Sequence, residues 1–79
     1  MLTLTNIKRT NEYIEANYIP EHSDEQGFVR VDLKTEDIIE SVKTSYDEVM
    51  DWYLGHARYR LAKIVDWEEY PEKLVVMWY

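Results

Sequence analysis

After Phe28, the run Val29-Arg30-Val31-Asp32-Leu33-Lys34 alternates apolar and polar residues without a break. Successive side chains of a strand point to opposite faces, so Val29, Val31 and Leu33 share one side while Arg30, Asp32 and Lys34 share the other. A strand with one wet face needs neighbouring strands and a cover for its apolar side. A polar turn near Thr35-Glu36 follows, and then Ile38-Ile39-Glu40-Ser41-Val42-Lys43 reads as a second strand. A two-residue turn would pair Leu33 with Ile38 and Val29 with Val42, apolar on apolar. It would also set Glu40 opposite Val31. The turn holds no Gly, so a tight hairpin would be strained and a longer loop competes with it.

Residues 2–19 carry Leu2 and Leu4 alternating with threonines, and then the aromatic and β-branched run Tyr13 to Ile19. Leu4, Ile7, Ile14 and Tyr18 also fit a helical stripe, but the alternation favours strand. Arg9-Thr10-Asn11-Glu12 is then a turn between two strands or a bend in one. Pro20 to Gly27 is a polar loop with Pro and Gly at its ends. Residues 45–68 predict the main helix. Ser45 and Glu48 fit a capping box, and Tyr46, Met50, Tyr53, Leu54, Ala57, Leu61 and Ile64 recur at helical spacing. Gly55 interrupts that stripe at about 1 kcal/mol against Ala. Either the backbone packs closely there, or the helix starts near Trp52. After Pro71, Lys73 to Tyr79 is a short, almost wholly apolar strand, which suggests an interior position or a covering partner.

These elements predict a single α+β domain over residues 1–79. An antiparallel sheet of three to four strands carries one main helix, about 45–68, on one face, with a short C-terminal strand beside it. At 79 residues the core is small, yet 46% hydrophobic and 14% aromatic residues suffice to build one. No linker, repeat or low-complexity segment divides the chain.

Cysteine is absent, which excludes disulfides, thiolate nucleophiles and Cys-type metal sites. No signal-peptide pattern opens the chain, and the longest apolar run, Leu74 to Tyr79, is far short of a membrane span. A cytoplasmic protein without a membrane partner is the expectation. The net charge of −7 disfavours phosphate backbones, so direct nucleic-acid binding is not expected. Residues 21–48 concentrate the field, with nine acids and three bases.

Catalytic signatures are missing. Ser23, Ser41 and Ser45 lie in no nucleophile elbow, the two glycines make no phosphate loop, and adjacent carboxylates such as Glu36-Asp37 point apart. The expectation is a protein without enzyme activity, cofactor or metal. Glu21, His22 and Asp24 could approach a divalent ion, but they lack calcium-loop spacing and read as a solvated loop.

Two aromatic surfaces stand out. Trp52, His56, Tyr59 and Lys63 lie within about 60° on a helix, flanked by Arg60, and no acid occurs between Trp52 and Val65. Rings interleaved with cations can hold an acidic peptide or a planar anion. The plainer reading is long side chains laid over the helix–sheet boundary. The second surface is Met77, Trp78 and Tyr79, which is core, or a self-association seam. The leading expectation is an interaction module that binds another protein or itself, as a homodimer. One alternative is an acidic inhibitor that imitates a nucleic-acid surface, which requires Glu36, Glu40, Asp47 and Glu48 to form one band. The other is a small anionic ligand held around His56.

Overall fold

The computed structural model describes residues 1–48 and 50–77. The strands are β1 (Leu2–Arg9), β2 (Tyr13–Pro20), β3 (Gly27–Asp32), β4 (Ile38–Val42) and β5 (Lys73–Val76). They form one antiparallel sheet in the order β4-β3-β2-β1-β5. The first four strands make a meander. The chain then crosses one face of the sheet as helix α1 (Trp52–Lys63) and returns to pair β5 with β1. The fold is α+β, with one helix packed on a five-stranded sheet.

Alternation builds the core. Leu2, Leu4, Ile14, Ala16, Tyr18, Val29 and Val31 all point toward α1 and are buried. Leu54, Ala57, Leu61 and Ile64 meet them from the helix side. The parity of β1 changes midway. Its register against β2 shifts between Thr5 and Lys8, where Asn6 takes a φ of 52°. Asn tolerates that left-handed conformation better than most residues, and the resulting bulge keeps Ile7 on the buried side. Arg9 to Glu12 is a turn between two strands. Thr10 Oγ1 accepts from the amides of Glu12 and Tyr13, at 3.1 and 3.2 Å.

The β3–β4 register differs from the expected one. Phe28 faces Val42, Val29 faces Ser41 and Arg30 faces Glu40, and a register shift then brings Val31 opposite Ile38. The longer loop prevails because the turn lacks Gly. Asp32 Oδ1 accepts from the amides of Lys34 and Thr35 and ties that loop. Those two donors hold the Asp32 carboxyl below its usual range. The observed register also sets Arg30 against Glu40 at 3.4 Å and Glu15 at 2.8 Å. The Arg30 guanidinium lies 4.4 Å from the Tyr13 ring centre on the uncovered sheet face.

The helix is shorter than 45–68. Ser45–Asp47 is a separate 3-10 turn, and α1 begins at Trp52. The capping box does not form: Ser45 Oγ donates instead to the Glu25 carboxylate. Asp47 takes over the capping from the preceding turn. It is 1% exposed, and its Oδ1 accepts from the amides of Tyr53 and Leu54 at 2.9 and 3.4 Å. Its Oδ2 accepts from the Tyr18 hydroxyl at 2.6 Å. Burial and this carboxylate push the Tyr18 hydroxyl well above its usual range, so it stays a donor. Tyr46 and Met50 lie outside α1 and are exposed rather than part of the core.

At the other end, Ile64 caps α1, and the Tyr70 hydroxyl donates to its carbonyl at 2.9 Å. Burial raises the Tyr70 hydroxyl above its ordinary value. β5 is an edge strand, not an interior one. Val76 is buried and Leu74 half-buried toward α1, while Val75 is exposed on the other face. Strand β5 ends at Val76, so Met77 follows it, and Trp78 and Tyr79 lie outside the described residues.

Candidate functional site

Helix α1 rests over β2 and β3, which turns its flank toward β5. A shallow groove of about 540 Å³ runs over that flank. Trp52, Gly55, His56, Tyr59 and Arg60 line it from the helix, and Val76 and Met77 from the end of β5. The antiparallel pairing of β1 with β5 sets Leu2 opposite Val76 and so fixes that strand end beside the helix. Met77, the one described residue of the second surface read from the sequence, therefore meets the helix surface in one place.

The rings stand up from the helix. Trp52 is 51% exposed and Tyr59 is 56% exposed. They are seven residues, about two turns, apart and so share a face. Gly55 and His56 lie between them. The Trp52 and His56 rings are 6.1 Å apart and tilted at 58°. Lys63 Nζ sits 4.6 Å from the Tyr59 ring centre, which places it on the rim of the site rather than in the groove. Met77 is 53% exposed at the groove's β5 side.

Charge in the groove differs from charge elsewhere. Asp51 is held by Lys43 at 2.7 Å, while Arg58 and Arg60 supply the positive charge. Arg58 Nη1 donates to the Glu36 carbonyl at 2.8 Å, which anchors its side chain on the β3–β4 turn. Partial burial, and then the nearby N-terminal ammonium, hold the His56 imidazole below its usual pKa.

Gly55, Arg58 and Val76 were not singled out as site residues by sequence reasoning. Gly55 carried the available signal, as a small residue inside a helical stripe. The structure resolves its role in one respect. The helix does start at Trp52, and among the described residues a Cβ built on Gly55 meets nothing within 4 Å. Close packing against the described residues is therefore not the reason for a glycine there.

Other sequence candidates do not come together. Asp47 is buried and occupied with Tyr18 and the helix amides, so Glu36, Glu40, Asp47 and Glu48 do not form one surface band. Glu40 is drawn to Arg30. In the Pro20–Gly27 loop, Glu21 pairs with the N-terminal ammonium at 3.3 Å. Among the described residues no group of three or more His, Asp or Glu is placed to hold a metal ion. Among them, too, no helix is long and apolar enough to cross a membrane. Compared with known proteins, the chain matches no family model, no curated protein and no solved structure.

Proposed function

We propose that the protein is a non-enzymatic interaction module that binds another protein chain through the groove between α1 and the end of β5. One observation carries this reading. Trp52, Tyr59 and Met77, each about half exposed, converge with His56, Arg58 and Arg60 on a single concave surface. Large rings and a flexible Met beside arginines make up the composition of protein-binding hot spots. Met adapts its shape to a partner, and the rings supply area with few rotors to freeze.

Site-specific photo-crosslinking in the cell tests the reading. A photoreactive residue replaces Tyr59 in the groove or, as control, Ile39 on the far edge strand, which is also exposed. A discrete protein adduct from position 59 and none from position 39 is expected. Equal adducts from both positions, or none from position 59, would refute it.

The basic side chains support a second reading, a planar anion held between the Trp52 and Tyr59 rings. Benzoate is a suitable probe. Saturable shifts of the Trp52, His56 and Tyr59 resonances would favour it, and their absence would remove it.

A further inference from the structure

The two edges of the sheet are built differently. β4 carries Glu40 in its middle, follows directly on Asp37, and breaks register against β3 between Arg30 and Val31. A charge and an irregularity are devices by which edge strands avoid pairing with other chains. β5 has no such break, and its charge stands at one end rather than in the middle. It pairs with β1 through four successive residues without a shift, and Lys73, at its start, is its one charge. Among the described residues nothing pairs with its outer side.

Resting on the groove as a protein-binding surface, we infer that the partner is a second copy of this chain, added antiparallel to β5 about a twofold axis through Val75. The pattern of residues 73–77 is self-complementary in that register. Directly opposed residues in an antiparallel pair share a face. Val75 then faces the second copy's Val75 on the uncovered side of the sheet. Leu74 faces the second copy's Val76 on the helix side and extends the buried layer. Lys73 faces the second copy's Met77, so no like charges oppose each other. A twofold axis through Leu74 would instead set Lys73 against Val75 and bring Glu72 opposite Val76, which is poorer on both faces.

Charge favours the same edge. Glu36, Asp37 and Glu40 lie in β4 and the turn before it, on the far side of the sheet, whereas the one charge of β5 is Lys73. Two copies joined at β5 keep those three acids of one copy away from those of the other.

Size ties the seam to the groove. Five paired residues span about 17 Å, and alone they cannot supply the roughly 800 Å² per partner of a stable interface. The half-exposed Trp52, Tyr59 and Met77 stand beside the seam and offer the remaining area. The second copy would thus close the open side of the groove.

Sedimentation velocity on the full chain at micromolar concentration is the test. The expected species has twice the 9.6 kDa of the chain. Val75→Lys sets two ammonium groups opposite each other and should weaken the pair roughly tenfold or more. Ile39→Lys, on the β4 edge, should leave it unchanged. Val75→Thr keeps a β-branched residue and should remain dimeric, and circular dichroism of each variant verifies the fold. A monomeric wild type, or a pair indifferent to Val75→Lys, would overturn the seam. If position 59 still cross-linked to a different protein, the groove reading would survive the loss of the seam.

Discussion

Asp47 joins the sheet to the helix, and its removal gives the sharpest test of the packing described above. In Asp47→Ala two contributions are lost at once. The amides of Tyr53 and Leu54 lose their acceptor at the start of α1, and replacing such a cap by Ala costs about 1–2 kcal/mol. The buried Tyr18 hydroxyl loses its 2.6 Å partner, and a stranded buried donor costs about 1–3 kcal/mol. Together the loss is about 2–5 kcal/mol, against a total stability of about 4–12 kcal/mol for a domain of this length. At about 4–8 °C per kcal/mol, the melting temperature falls by about 8–40 °C. Urea unfolding with unchanged slope measures it. Asp47→Asn keeps an acceptor for the helix but presents an amide donor to Tyr18, so it should lose the Tyr18 share and retain most of the cap. Combined with Tyr18→Phe, Asp47→Ala should fall short of additivity, because both variants delete one bond. A cost below about 1 kcal/mol for Asp47→Ala, or full additivity with Tyr18→Phe, would refute the account.

Gly27→Ala is expected to cost about 3 kcal/mol or more, because the new Cβ falls 2.3 Å from two ring atoms of Tyr18; thermal melting measures it. Gly55→Ala acts in the opposite direction: with no described residue within 4 Å of the new methyl, helix propensity should add up to about 1 kcal/mol, seen as a higher urea midpoint. The imidazole of His56 is held below its ordinary value, so the unfolded chain binds the proton more readily. Its share of stability is therefore present above the unfolded value and lost as pH falls from about 6.5 toward the folded one. Comparing urea midpoints of the wild type and His56→Gln between about pH 8 and pH 5 should show the wild type losing more.

Much of the sheet was legible because binary alternation is a local property. Val29 and Val31, and Leu2 and Leu4, declare their face within a few residues. The buried placement of Ala57, Leu61 and Ile64 was likewise plain from helical spacing. The start of α1 was not. Ser45 and Glu48 satisfy the capping pattern, but Glu25, twenty residues earlier, takes the serine hydroxyl, and Asp47 reaches the helix amides from outside the helix. Both outcomes depend on contacts far apart in sequence. The position of β5 was also hidden. A run apolar on both faces suits a central strand, and only the pairing with β1 shows it at an edge. The same pairing brought Met77 to Trp52 and Tyr59, a meeting that no spacing rule could reveal.

The unequal edges also decide how far any assembly can grow. A layer that accepts neighbours on both flanks stacks without limit and ends as fibre. In the pairing proposed above, the flank bearing Glu40 and the register break would turn neighbours away, while the flank of Lys73 to Val76 would admit one. Two such layers joined flank to flank would leave only the refusing sides outward, so growth would stop at a pair.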